Sequence, residues 1–202
     1  MKAQRLIVVA ALALAPAAFA QDSFEAPKLT PEQQKMMETW EAAGRVGAEH
    51  QVLKTAFEGN WDAKTTMWWD PATPPETGTA KATSASIYDG RFQRETFNGT
   101  WQGKPFEGTA VTGYDNIRKK YLVNWIDSVS TAMYVGWGDY DAAKKTFTFH
   151  GEASDAMDPG KPIKIRQIVT IDGPDQHTMT WYETKGGKPE AKTMQIVYTR
   201  RK

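Results

Sequence analysis

Three histidines are the first places to look for chemistry, and no two are spaced to put both on one metal ion from a single element. His50 follows Glu49 in a helix-forming stretch, where capping or a surface position suits it better than catalysis. His150 shares a strand phase with Thr146, Thr148 and Glu152, opposite Phe147 and Phe149, so inward Phe side chains would leave it outside. His177 alternates with Met179 and Trp181 and so faces the interior near a strand end. An imidazole there fills a core or serves as an acid or base.

The other motifs of catalysis are missing. The chain has no Gly-x-Ser-x-Gly, no phosphate-binding glycine loop and no His-Glu-x-x-His, and it has no cysteine. That excludes a Cys nucleophile, thiolate metal sites and a disulfide scaffold. Glu152, Asp155 and Asp158 are acidic neighbours whose spacing matches no calcium loop, so they read as a solvated hairpin. No catalytic residue and no metal ligand is assigned. The eight tryptophans say more. Trp69, Trp125, Trp137 and Trp181 fall on phases that alternate with polar residues, and with His177 they are the candidate lining of an interior space. Aromatic walls with few polar groups suit a small apolar or amphipathic ligand, and equally a packed core.

The elements that must position these residues follow from hydrophobic period. Thr30-Pro31-Glu32-Gln33 reads as a capped helix start, with Met36, Met37, Trp40 and Ala43 at helical spacing. A second short helix runs from Ala48 to about Phe57. From Gly59 the period changes to two, through about ten strands ending with Thr193–Arg201. Asp89-Gly90 and Asn98-Gly99 mark tight hairpins, and Asp172-Gly173-Pro174-Asp175 and Gly186-Gly187 mark further turns. Tyr114-Asp115-Asn116-Ile117-Arg118-Lys119 and Tyr140-Asp141-Ala142-Ala143-Lys144-Lys145 spell one turn twice. With no helices between strands, the sheet is antiparallel and must stack or close. The expected fold is all-β, an antiparallel barrel of about ten strands with short N-terminal helices plugging one end.

Residues 1–20 read as a signal peptide. Lys2 and Arg5 precede the apolar run Leu6–Leu14, and Ala18-Phe19-Ala20 supplies a cleavage site. The run is too short for a membrane span, which needs roughly 20 residues. The expected organisation is signal peptide 1–20, leader and short helices 21–58 and barrel domain 59–202, with an exported (periplasmic or secreted) product. Over the whole chain 25 bases face 24 acids, a balance that argues against nucleic acid. Nothing in the pattern specifies an oligomeric state or a protein partner.

Gly59-Asn60-Trp61 opens the first strand and Tyr198-Thr199-Arg200 closes the last. This resembles lipocalin-like (calycin) barrels, where a Gly-x-Trp meets a basic residue from the final strand. The resemblance implies that Trp61 and Arg200 stack as a structural closure, worth about 0.5–2 kcal/mol. More of the chain resembles the domain-of-unknown-function 1579 family. The matching stretches include Gly47-Ala48-Glu49-His50, Asp89-Gly90-Arg91-Phe92, Gly113-Tyr114-Asp115-Asn116, Trp125-Ile126-Asp127-Ser128 and the ending Met194-Gln195-Ile196-Val197-Tyr198-Thr199-Arg200. The family implies a secreted bacterial barrel and brings no activity. Thr180 and Gln195 stand where the family often has Glu, so no role is placed on acids there. Haem at His177, as in the nitrobindin relatives of this architecture, is disfavoured because the further glycines of that pattern are missing. No cofactor is therefore expected. The favoured function is binding of a small apolar or amphipathic molecule in the lumen. Two alternatives stand beside it: a hydrolase or isomerase using His177, and an envelope interaction module that works through its outer surface.

Overall fold

A computed structural model describes residues 29–70 and 72–202. The stretch expected to be a signal peptide, and nearly all of the expected leader, lie outside the described residues. Two helices, α1 (Pro31–Ala43) and α2 (Ala48–Phe57), precede ten strands. These are β1 (Gly59–Met67), β2 (Glu76–Ile87), β3 (Phe92–Trp101), β4 (Lys104–Asp115), β5 (Lys120–Asp127), β6 (Tyr134–Asp141), β7 (Thr146–Ala153), β8 (Ile163–Gly173), β9 (Gln176–Thr184) and β10 (Ala191–Arg200). Each strand pairs antiparallel with its sequence neighbours, and β1 pairs with β10 to close the barrel. Closure leaves no sheet edge for another chain to add to. Among the described residues no helix is long and apolar enough to cross a membrane.

Alternation decides which side chains enter. β1 sends Trp61 and Ala63 inward, β7 sends Phe147 and Phe149, and β10 sends Ile196 and Tyr198; all six are buried. His150 is consequently exposed. The plug is α2 alone, with Leu53 and Ala56 buried and Phe57 packed 5.4 Å from both Phe147 and His177. The expectation that both helices close the barrel is corrected: α1 has no buried residue, and Trp40 on its apolar face is 70% exposed.

The family motifs turn out to be structural joints. The Gly47 N–H donates to His50 Nδ1 at 3.1 Å, which caps α2, and His50 is buried against the edge of Tyr114. Burial holds that imidazole below its usual pKa, so it stays the acceptor the cap needs. Asn116 Nδ2 donates to the carbonyls of Ala43 and Arg45, tying down the α1–α2 connection. The twice-spelled turn has one mechanism. Asp115 Oδ1 accepts from the Ile117 and Arg118 N–H groups, Asp141 Oδ1 accepts from Lys144, and Lys119 and Lys145 both take positive φ. Asn98-Gly99, expected as a turn, lies inside β3, and the β3–β4 hairpin turns at Gln102-Gly103, both at positive φ. Gly99 is there for a different reason: a Cβ would come within 2.8 Å of Ala80 Cβ on β2.

Candidate functional site

Above the α2 plug the barrel encloses a cavity of about 500 Å³. Its floor holds Phe57, His177 and Tyr198, and its wall includes Phe97, Phe106, Trp125 and Trp181. The Trp-Ile-Asp-Ser motif fixes the most prominent wall residue. Trp125 Nε1 donates to Asp127 Oδ2 at 2.9 Å, while Asp127 Oδ1 accepts from the Val129 and Ser130 N–H groups. Gly108 leaves space for the indole, since a Cβ there would lie 2.2 Å from the ring. Phe106 stacks on Trp125, and Phe97 meets it edge-on at 6.0 Å between centroids. Volume and aromatic lining are those of small-molecule sites.

Some of the polar groups in the lining are unpaired. Gln93 Oε1, Gln167 Oε1, Tyr134 OH and His177 Nδ1 are buried without a hydrogen-bond partner, and all four side chains line the cavity. A buried polar atom left alone costs roughly 1–3 kcal/mol, and all four belong to side chains that help to line this one space. Glu95 adds a carboxyl to the same wall. Ser84 stands opposite it in the register, and Tyr198 OH donates to Oε1 at a long 3.4 Å. Burial pushes Glu95 up to about 7, against the pull of the Tyr198 hydrogen bond, which lowers it. Burial, then the neighbouring Glu95, raises Tyr198 well above the usual phenol value, so the phenol keeps its proton and donates.

His177 stacks on Tyr198 with centroids 4.4 Å apart and meets Trp61 edge-on at 4.5 Å. Burial pushes its imidazole down to about 4, and no hydroxyl or carboxylate among the described residues bonds the ring. At neutral pH it is an uncharged, weakly basic part of the floor. Below it the Arg200 guanidinium lies 4.2 Å over Trp61, Nη1 donates to the Glu58 carbonyl at 2.8 Å, and Trp61 Nε1 donates to the Phe57 carbonyl.

Of the tryptophans expected inside, Trp125 and Trp181 line the wall, and Trp69 stands at the rim beyond the end of β1, 62% exposed, donating to Glu76. Trp137 is on the outer surface, a correction, with the Arg118 guanidinium 4.4 Å over its ring. The inward phase of β6 belongs to Tyr134, Gly136 and Gly138. Thr180 and Gln195 pair across the outer face at 3.4 Å and take no part in the site. The acidic neighbours gather no metal cluster among the described residues. Asp155 is buried and bonded to Lys185 instead.

A family model described as "Protein of unknown function (DUF1579)" matches residues 45–200. No protein of curated function matches the chain. Among solved structures, Rv2717c from M. tuberculosis superposes with a TM-score of 0.56 at 16% identity, covering 78% of this chain and 100% of that one. The S-type phycobiliprotein lyase CPES from Guillardia theta gives 0.52 at 15% identity, covering 80% and 97%. At such identities the likeness is one of fold: both are similar barrels.

Proposed function

The chain belongs to the DUF1579 family of unknown function, and from that premise we propose that it is an exported carrier holding a small amphipathic molecule in its lumen. One observation supports this above the others. An aromatic cavity of about 500 Å³ is lined by side chains of which four carry a buried polar atom without a partner among the described residues. A barrel evolved only to be filled would pair or remove them. Catalysis at His177 draws no comparable support, because the ring has no partner to activate it and no charge at neutral pH. No cofactor enters the proposal.

The test is saturable binding. N-phenyl-1-naphthylamine, a neutral apolar dye, should quench tryptophan emission as it fills the lumen. Trp125→Ala should weaken its affinity about tenfold or more, the usual penalty for truncating a central aromatic contact. Trp68→Ala should change it less than about twofold, since Trp68 lies outside under the Lys192 ammonium. A folded protein that takes up no probe overturns the carrier reading in favour of the outer-surface one.

Export has its own test. Amino-terminal sequencing of the protein from its host should find a chain starting at Gln21, allowing for cyclisation of that glutamine. A soluble cytoplasmic product that keeps Met1 rejects export.

A further inference from the structure

We propose that the molecule held in the lumen is an amphiphile with a protonated amine, its ammonium seated against Glu95 and its apolar part directed to the mouth. This rests on the carrier reading and adds the chemical class of the ligand. Charge is the first ground. Among the described residues, the ionisable side chains of fixed sign that line the cavity are Glu76, Glu95 and Asp127, with no lysine or arginine. The rim pair is already engaged, Glu76 by Trp69 and Asp127 by Trp125 and two backbone N–H groups. Glu95 keeps one oxygen with no protein donor.

The second ground is the direction of the hydrogen bonds. Ser86 Oγ donates to Glu58 Oε2, since a carboxylate has only acceptors to offer. The single Ser86 proton being spent, Gln93 can meet Ser86 at 2.6 Å only by donating its NH₂, which leaves Oε1 a buried acceptor without a partner among the described residues. Gln93 and Glu95 are successive inward residues of β3, about 7 Å apart along the strand. An ammonium can donate to the free Glu95 oxygen with an N–H···O bond of about 2.8 Å. An alcohol offers that oxygen an uncharged donor, and an anion offers none.

The third ground is aromatic. Tyr198 reaches Glu95, and Phe97 follows Glu95 on the same face with its ring 6.5 Å from that of Tyr198. Rings so placed attract a cation by their quadrupoles. A carboxyl that burial without a counter-ion has driven up to about 7 would be restored to its ionised form by the ligand's own charge.

Three probes with one tail decide it: n-octylammonium, 1-octanol and octanoate, titrated calorimetrically at about pH 8, where alkylamines are still protonated. The order expected is ammonium, then alcohol, then carboxylate, with the ammonium at least about tenfold tighter than the alcohol. Glu95→Gln should bring that ratio close to one, and Glu95→Asp should keep most of it. If Glu95→Gln does not fold, the order in the parent protein and in Glu95→Asp carries the decision. Equal binding of amine and alcohol overturns the amine assignment and leaves the carrier reading standing. A preference that survives Glu95→Gln and disappears in Glu76→Gln or Asp127→Asn overturns the placement at Glu95. Binding of none of the three overturns the carrier reading itself, and this inference with it.

Discussion

Replacing Glu95 with Gln should give a ligand-free protein that gains about 3 kcal/mol of stability, relative to its parent, as pH rises from 4.5 to 7. The sign follows from two groups displaced in opposite directions. Glu95 has its folded value raised from 4.5 to about 7, so the folded state holds a proton that the unfolded state has lost. Its stabilising contribution is complete below 4.5 and disappears as pH climbs through 7. His177 is the reverse case, lowered from 6.5 to about 4, so the unfolded state binds the extra proton. Its contribution is complete above 6.5 and is lost as pH falls through 4. Between 4.5 and 6.5 the two slopes oppose each other, and together they leave the parent nearly level there. Glu95→Gln exposes the histidine slope alone, with stability rising toward neutrality. His177→Gln exposes the glutamate slope, with stability falling by about 3 kcal/mol over 4.5 to 7. Urea melts of the parent, both single variants and the double variant at half-unit pH steps test this, because all other titrating groups cancel in the differences. A Glu95→Gln minus parent difference that is independent of pH would show that Glu95 is open to bulk water, and would remove the buried-carboxyl description of the site.

How much of this was legible in the sequence differs from strand to strand. β7 reads cleanly because Phe147 and Phe149 are apolar on one phase and Thr148 and His150 polar on the other, which is how they sit. β6 misleads because its inward positions, Gly136 and Gly138, carry no side chain to mark the phase, so Trp137 takes the eye. Those glycines have a cause that emerges only from packing. A Cβ at Gly138 would fall 1.8 Å from the Thr148 carbonyl oxygen, and one at Gly136 would meet Tyr134 OH. β3 hides the most. Phe92 and Phe97 lie on opposite phases, so alternation has no consistent reading, and Gln93 and Glu95 pass for outward polar residues. They point inward on the phase of Phe97, and a polar side chain on the inner face of a barrel looks in sequence like one facing solvent. The Trp-Ile-Asp-Ser run is conspicuous as a motif, yet its work, an aspartate that fixes an indole and ties the following loop, needs the register of β4 against β5 to be seen. Equally, an apolar face at helical spacing shows that α1 can be amphipathic, and says nothing of whether anything covers it.

The closed end of the barrel supplies the other large effect: Gly59→Ala should destabilise by about 2–4 kcal/mol. Two separate costs meet at this residue. Gly59 has φ +138, a conformation that L side chains rarely adopt, and this part belongs to the backbone alone. A Cβ would also lie 2.2 Å from Arg200 Nη1, and the guanidinium has little freedom to move away. It is held by the Glu58 and Pro174 carbonyls, by Asp175 and by the face of Trp61, opposite which Arg200 stands in the β1–β10 register. The Gly of Gly-x-Trp is thus required by the Arg that the Trp carries, and the two ends of the chain's barrel are coupled through one planar group. Arg200→Ala alone should cost about 1–3 kcal/mol from lost stacking and stem packing, while Arg201→Ala, whose partner is the exposed Asp62 at 3.7 Å, should stay within about 0.5 kcal/mol. Because the second cost of Gly59→Ala exists only while Arg200 is present, the double variant should be more stable than the sum of the singles allows by about 1–2 kcal/mol. Simple additivity in that cycle would mean that φ explains Gly59 entirely and that the guanidinium does not lock the closure. A coupling of the expected sign, with Arg201→Ala silent, would locate the seal beneath His177 in the Gly59–Trp61–Arg200 triplet and make the floor of the cavity a rigid one.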